Sequence, residues 1–191
     1  MSRLEPVALE HASRLVNHGP TVLVTSASGS RRDVMAAAWS MPVEFTPPRI
    51  AVVIDKRTFT RELIAESGVF GICIPGAELI DLTYTVGTTS GRDLDKFARY
   101  GIETVRGPAL GLPLIENGCA AWLECRLISE PHAEDAYDTC FGEVLSAAAD
   151  RRVFENGHWK FDATNAPLHT LHHLGAGHFV VASNTRSAKP L

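Results

Sequence analysis

Runs of strand-forming residues follow one another along this chain, and their order constrains the fold more than any other feature. TVLVTSAS, RIAVVID and VFGICIP are rich in aliphatic and β-branched residues and are bounded by Gly, Pro or charged residues, which is typical of strands. Thr46-Pro47-Pro48 predicts a corner, because consecutive prolines cannot donate hydrogen bonds to a sheet. Strands and helices do not alternate as they would in a doubly wound fold.

Helical patterns occupy three short ranges, 7–16, 59–66 and 90–101. The third begins with Ser90 and Asp93, which have the spacing of a capping box. The second half adds strand-like runs within CAAWLECRLISEPHAED, DTCFGEVLSAAADR and HFVVAS. Six or seven strands with two or three helices therefore predict a mainly β protein, a small β-barrel with helices packed outside it. At 191 residues we expect one domain, spanning residues 1–191.

Composition excludes several classes of function. The net charge is −4, and no basic block goes beyond the short SRR around Arg31, which argues against nucleic-acid binding. No apolar run approaches the roughly 20 residues that span a bilayer, so we expect no membrane span. The N-terminus lacks the pattern of a signal or transit peptide, which predicts a cytoplasmic protein. The absence of G-x-G-x-x-G disfavours a Rossmann site for NAD or FAD.

Two neighbouring segments suggest a ligand. Ala36-Ala37-Ala38 removes side-chain bulk, so a planar ring could lie against the backbone, with Trp39 bounding it and Ser40 adding a hydroxyl. The alternative is that the small residues let a helix pack closely on the strand. The segment 55–61 gathers basic and hydroxyl residues at a helix start, where free N–H groups favour a phosphate. The alternative there is an ordinary N-cap at Thr58 with solvated basic residues.

The chain resembles the flavin reductase-like proteins of the FMN-binding split-barrel fold, which include flavoredoxins and NAD(P)H-dependent flavin reductases. The resemblance covers roughly residues 19–182. It rests on the ordered motifs DVMAAAWSMPVEFTPPRIAVVI, RTFTRELIAESGVFGICIP, SGRDLDKF, FGEV and HHLGAGHF. It implies a split β-barrel with peripheral helices, FMN as cofactor, NADH or NADPH as electron donor, and a homodimer with flavin near the subunit interface.

The resemblance also implies which residues meet the cofactor. The backbone of Ala37, Ala38 and Ser40 is expected to contact the isoalloxazine ring, and Trp39 to flank it. Asp33 stands where relatives commonly have Asn. Further positions complete the expected site: the phosphate-binding turn at Arg57, Thr58 and Thr60, and the flavin-approaching lysine at Lys96. No side chain is expected to act as an obligatory acid or base, because FMN carries the redox chemistry.

Two departures from the family pattern keep other functions open. Asp33 replaces an amide by an acceptor-only carboxylate, and Tyr137-Asp138-Thr139-Cys140 stands where relatives often have His. One alternative is a flavoredoxin-like electron carrier that holds FMN and is reduced by a partner protein. Another is a non-catalytic split-barrel module that binds flavin weakly or uses its pocket for a partner or another ligand.

Two further kinds of site are disfavoured. His169, His172 and His173 would share one face of a helix, a spacing that suits a metal, but no carboxylate or cysteine partner is evident. The two glycines that follow argue for a loop instead, so no metal is expected. A hydrolase is disfavoured because G-x-S-x-G is absent and no Cys–His arrangement follows from the spacing.

Overall fold

A computed structural model describes residues 3–189 of the chain. Short elements open it: strand β1 (Glu5–Pro6), helix α1 (Leu9–Ala12) and a 3-10 turn at Ser13–Leu15. The elements of the remaining first half, in chain order, are β2 (Val22–Ser28), β3 (Arg31–Ala37), β4 (Ser40–Phe45), β5 (Pro48–Val53), α2 (Phe59–Ser67), β6 (Val69–Pro75) and α3 (Ile80–Thr88).

The second half contains two long strands and several short elements. Its order is α4 (Lys96–Arg99), β7 (Val105–Arg106), β8 (Pro113–Leu114), β9 (Cys119–Ile128), α5 (Pro131–Tyr137), β10 (Thr139–Ala149), β11 (Phe154–Glu155), β12 (His158–Trp159), β13 (Leu171–Gly175) and β14 (His178–Val181). Further 3-10 turns lie at Ala77–Leu79 and Ala166–Leu168. Along residues 3–189 no helix is long and apolar enough to cross a membrane.

One antiparallel sheet organises the molecule. Its strands run in the order β3-β2-β6-β9-β10-β5-β4, and β1 pairs with the end of β10. Strands β3 and β4 are consecutive in sequence but lie at opposite ends of this order. The chain changes sides between them, at Ala38 and Trp39. The alanine segment therefore lies at the margin of the sheet, where backbone groups have no neighbouring strand.

Apolar side chains form clusters on the two faces of the sheet. One cluster includes Val24, Ile72 and Leu123, together with Ile64 from α2. The other includes Leu23, Cys73 and Trp122, together with Val86 from α3 and Phe97 from α4. Consecutive residues of β2 belong to different clusters, as the alternation of side chains along a strand requires. Helices α2 and α3 are thus held against β2 and β3 from opposite faces.

Most predicted strands form, but the helix predictions need correction. The helix expected over 90–101 is wrong in extent, because α4 covers only Lys96–Arg99 and its N-cap is Asp95 rather than Ser90. The Asp95 carboxylate accepts from the backbone N–H groups of Phe97 and Ala98, which satisfies the start of the helix. Helices α3 and α5 were not predicted. The expected count of strands was also too low, because short two-stranded pairs surround the main sheet.

Candidate functional site

The free edge of β3 presents backbone groups to a cavity. Lys96 Nζ donates to the carbonyl oxygen of Val34 at 2.6 Å, so this carbonyl points away from the neighbouring strand β2. Because the N–H and C=O of a strand residue point to one side and the direction repeats every second residue, the peptide groups of Ala36 face the same free edge. A donor and an acceptor are therefore available beside the small side chain of Ala36.

A cavity of about 340 Å³ lies beside this edge. Ala36 and Ala38 form one wall, Thr83 and Gly87 of α3 form a second, and the hairpin β13–β14 contributes a third. Gly87 packs so closely on Ala36 that a Cβ at position 87 would lie 3.1 Å from the Ala36 Cβ. The small residues therefore do two things: they let α3 approach β3, and they leave space next to the point of approach.

Two hydroxyl groups, Thr83 in the cavity and Ser40 in β4, have buried, unused hydrogen-bonding capacity. Thr83 is fully buried and lines the cavity, and its Oγ1 has no hydrogen-bond partner within residues 3–189. The buried Oγ of Ser40 likewise has no partner in the described part of the chain. Because an unsatisfied buried hydroxyl is costly, such groups are typical of places where a ligand or water completes the bonding.

The turn before α2 offers a second set of polar groups. Thr58 is the N-cap of α2, and its Oγ1 accepts from the backbone N–H of Arg61 at 3.2 Å. The same hydroxyl donates to the carbonyl oxygen of Asp55 at 2.8 Å, so it is fully used within the turn. The N–H groups of Phe59 and Thr60 have no partner within the helix, as at any helix start. These groups and the helix dipole favour an anion at this point.

Arg57 projects from this turn into solvent but already has a carboxylate partner. Its side chain is 86% exposed, and its Nη2 donates to Asp55 Oδ2 at 2.6 Å. The hydrogen bond from the Arg57 side chain, followed by that from its backbone, lowers the pKa of Asp55 to about 2. An anion that binds here must therefore compete with Asp55 for the guanidinium.

Three of the predicted residues meet inside the protein, away from the exposed turn. Thr60 Oγ1 donates to Asp33 Oδ2 at 2.7 Å, and Lys96 Nζ lies 3.2 Å from Asp33 Oδ1. The contact with Lys96 is an ion pair rather than an aligned hydrogen bond. Asp33 and Lys96 are 2% and 3% exposed, and Thr60 is fully buried. The structure thus joins β3, α2 and α4 through one polar cluster.

The other predicted residues lie at the sheet margin. Trp39 is 74% exposed, and its carbonyl oxygen accepts from the N–H of Val53 in β5. Ala37 faces inward with the main apolar cluster, whereas Ala38 lines the cavity. Trp39 therefore does not bound the cavity from inside it, and its ring is available to solvent.

Arg61 belongs to a buried ion pair that the sequence did not reveal. Its Nη2 donates to Glu134 Oε2 of α5 at 2.8 Å, and its other terminal nitrogen contacts Cys140 Sγ. Although it is charged, Arg61 is only 8% exposed. Burial raises the pKa of the Cys140 thiol to about 11. Glu134 lies 73 residues from Arg61 in sequence, in helix α5, which the sequence did not predict. The residues around Arg61 therefore carry no sign of the ion pair.

The histidine-rich segment forms a hairpin rather than a helix. His172 and His173 lie in β13, and His169 precedes it, with Nε2 2.8 Å from Asn165 Oδ1. His18 packs edge-on against His172, and burial followed by the charge of His172 lowers the pKa of His18 to about 4. Among residues 3–189 no group of three or more metal-binding side chains is arranged around a common point.

Comparison with a family model identifies most of this architecture. The flavin reductase like domain matches residues 14–170. The chain belongs to the flavin reductase-like family. Uncharacterized protein YddH of Escherichia coli (strain K12) is 60% identical over 190 residues, which cover 98% of this chain and 100% of that protein.

Solved structures of flavin reductase-like proteins have the same fold. An FMN-binding domain of a flavin reductases-like enzyme from Shewanella baltica OS155 is 41% identical, with a TM-score of 0.94 over 98% of each chain. The flavoredoxin of Desulfovibrio vulgaris (Miyazaki F) is 25% identical, with a TM-score of 0.76 over 89% of this chain and 90% of that chain. The predicted split-barrel fold is confirmed, since structural neighbours of this flavin reductase-like chain are split-barrel domains.

Proposed function

We propose that this chain binds FMN and acts as a flavin oxidoreductase that takes electrons from NADH or NADPH. Membership of the flavin reductase-like family supports a flavin-related oxidoreductase or electron-carrier role. The cavity beside the free edge of β3 carries the proposal. It combines small side chains at Ala36 and Ala38, peptide groups that face a free edge, and the unpartnered hydroxyl of Thr83. A planar ring with polar atoms along one side needs this combination.

The start of α2 supplies the matching site for the FMN phosphate. The unpaired N–H groups of Phe59 and Thr60 and the exposed guanidinium of Arg57 are the donors that an anion would use. Thr58 and Thr60 contribute indirectly, because their hydroxyls are bonded to Asp55 and Asp33 and thereby fix the turn. Ser40 and Thr83 would satisfy polar atoms of the ring.

The residues around the cavity bind and orient rather than transfer protons. A bound FMN would supply the redox chemistry, accepting two electrons from a nicotinamide or single electrons from a protein. Ala38 contributes a small side chain to one wall of the cavity, and His173 and Phe179 of the hairpin contribute rings to another. The exposed ring of Trp39 lies at the margin, where it would cover a ligand edge.

The first experiment measures flavin retention. The purified protein is mixed with excess FMN and desalted, and its visible spectrum is recorded before and after NADH or NADPH is added without oxygen. We expect retained colour that bleaches. Colour that stays unbleached with both nicotinamides contradicts the reductase function, and loss of all colour on desalting contradicts tight binding.

A cavity variant tests the location of the ring. Ala38→Leu places a larger side chain in the cavity and should weaken FMN binding by at least tenfold in a titration. The matched control is Ala163→Leu, since Ala163 is exposed and does not line the cavity. Equal FMN affinity for the two variants would place the ring elsewhere.

The phosphate assignment has its own test. Arg57→Ala should weaken FMN about tenfold while leaving riboflavin unchanged, because only FMN carries the phosphate that a charge-assisted hydrogen bond would recognise. Arg151→Ala is the control, since Arg151 is an exposed arginine paired with Glu5 in another part of the molecule. Equal weakening of both ligands would contradict this role of Arg57.

A second candidate function is that of an FMN electron carrier, favoured by the similarity to a flavoredoxin across 89% of the chain. Such a carrier would keep FMN permanently and would receive electrons from a protein partner. Retained FMN that is reduced by dithionite, but by neither nicotinamide, would distinguish this function from the reductase.

We also propose that two copies of the chain associate. Strand β4 lies at one end of the sheet order within residues 3–189. Residues 39–45, which include β4, expose large apolar side chains at alternate positions. These residues are Trp39, Met41, Val43 and Phe45, and Trp39 and Phe45 are 74% and 70% exposed. Aromatic residues and Met are enriched in protein interfaces. Sedimentation should show a dimer that Phe45→Glu dissociates, and a monomeric wild-type chain would contradict the proposal.

A further inference from the structure

The ion pair between Asp33 and Lys96 is almost completely excluded from solvent. Asp33 is 2% exposed and Lys96 is 3% exposed. A buried charge is costly unless other groups pair with it and complete its hydrogen bonds. Each partner therefore needs a full set of polar neighbours, and those neighbours show what the pair does.

The ammonium group of Lys96 has three oxygen neighbours for its three N–H donors. Nζ donates to the carbonyl oxygen of Val34 at 2.6 Å and to that of Val86 at 3.1 Å, and Asp33 Oδ1 lies 3.2 Å away. A lysine ammonium has three donors and no acceptor. Backbone carbonyls of β3 and α3 therefore use two of the three donors, and Asp33 Oδ1 contacts the ammonium as an ion pair without an aligned hydrogen bond.

These contacts join elements on both sides of the cavity. Val34 lies in β3, two residues before Ala36, and Val86 lies in α3, next to Gly87. Ala36 and Gly87 are themselves cavity-lining residues. Lys96 thus bridges the free edge of β3 to α3 immediately beside the place where the two elements approach each other.

The carboxylate of Asp33 is hydrogen-bonded through Oδ2 only, since Oδ1 has no hydrogen-bond partner within residues 3–189. Thr60 donates to its Oδ2 from the first turn of α2. Gly91 packs against the same carboxylate, and a Cβ at position 91 would lie 2.5 Å from Asp33 Cγ. The loop that precedes α4 can cover the pair only with a glycine at this point, because any side chain would overlap the carboxylate.

We propose that Asp33 and Lys96 are a positioning pair, which fastens the free edge of β3 to α3 while Asp33 neutralises the charge of Lys96. In this chain Lys96 thus shapes the cavity and is not the charge partner of a reduced flavin. The part of this inference that concerns flavin rests on the proposed function. The fastening itself concerns the protein alone and is tested separately.

The fastening is tested in the flavin-free protein with a double-mutant cycle. Asp33→Asn, Lys96→Met and the double variant are unfolded in urea. Removing one partner leaves the other buried and unpaired, whereas removing both does not. We expect the folding equilibrium constant of the double variant to exceed, by at least tenfold, the value calculated from the two single variants. If the stability effects of the two single substitutions are additive, the proposed pairing of Asp33 with Lys96 is wrong.

The flavin part is tested through the affinities of Lys96→Met for oxidised and reduced FMN. A positioning role predicts that both affinities fall by the same factor, so the midpoint potential of bound FMN stays as in the wild type. A direct charge partner would weaken reduced FMN at least tenfold more, which lowers a two-electron potential by about 30 mV. Such a shift would overturn the proposal. Lys160→Met, at an exposed lysine paired with Glu155, is the control.

A measurement on the wild-type protein tests the pair even if the variants do not fold. The Lys96 ammonium protons should be protected from solvent exchange, and their nuclear magnetic resonance signal should not move when bound FMN is reduced. Rapid exchange in the flavin-free protein would overturn the fastening. If the wild type binds no FMN, the proposed function is wrong. The double-mutant cycle and the exchange rate of the Lys96 ammonium protons, both measured without flavin, still test the pairing of Asp33 with Lys96.

Discussion

Three of the predicted site residues form a buried group and two form an exposed group, and the two groups differ in how far the protein satisfies their polar atoms. Asp33, Thr60 and Lys96 are at most 3% exposed and bond to one another or to backbone carbonyls. Trp39 and Arg57 are more than 70% exposed, with Trp39 at 74% and the Arg57 side chain at 86%. Residues that resemble parts of one cofactor site are therefore buried and bonded in one group and exposed to solvent in the other.

Residues of a shared motif therefore differ in how free they are to contact a ligand. The buried group fixes β3 relative to α2 and α3, so its substitution should act mainly on stability and on cavity shape. The exposed group has few contacts to lose, so its substitution should act mainly on binding. Unfolding free energies measured on the flavin-free protein therefore test whether the two groups differ in this way.

The largest effect is expected for Asp33→Ala. It leaves Lys96 as a buried cation without its counter-ion, and breaking a buried pair in this way costs about 3 kcal/mol or more. Urea denaturation should show this loss. Asp93→Ala, at an exposed carboxylate of the nearby loop, should change stability little. A small effect of Asp33→Ala would place this residue with the exposed group.

The next largest effect is expected for Gly91→Ala. The added methyl group overlaps the Asp33 carboxylate, and overpacking of this kind costs about 1–3 kcal/mol. Ser90→Ala adds no bulk at the neighbouring position and serves as the control. If Gly91→Ala unfolds at the wild-type urea concentration, the loop does not press on the buried pair.

An intermediate effect is expected for Thr58→Ala, since Thr58 lies between the two groups and is half-buried. The change removes the N-cap of α2, which is worth about 1 kcal/mol. Thr58→Ser keeps the capping hydroxyl and should recover most of the stability. Loss of FMN binding in Thr58→Ser, with the cap intact, would show that the methyl group matters for the ligand.

The smallest effect on stability is expected for Trp39→Ala, within about 0.5 kcal/mol, because an exposed ring loses little packing. Its FMN affinity should nevertheless fall severalfold, as a residue at the ring margin requires. A large loss of stability with unchanged FMN affinity would reverse the comparison between the two groups.

Local patterns predicted elements whose signals lie within one segment. The strands β2, β5 and β6 and the helix α2 follow from aliphatic runs, from breakers and from Gly68, which ends α2 in the left-handed conformation. Helices α3 and α5 were missed because α3 is rich in Thr and β-branched residues and α5 lies within a charged stretch. Their positions depend on packing against β3 and β10.

Local patterns predicted a ligand site at the alanines before Trp39 and at the helix start at Thr58, and the family resemblance added the segment that contains Lys96. The partners of the side chains follow from the tertiary structure and not from these segments. The fold turned Thr60, Arg61 and Lys96 inward, because partners far along the chain, Asp33 and Glu134, meet them there. A charged residue is buried or exposed according to whether the fold brings it an opposite charge, and no short pattern carries that information.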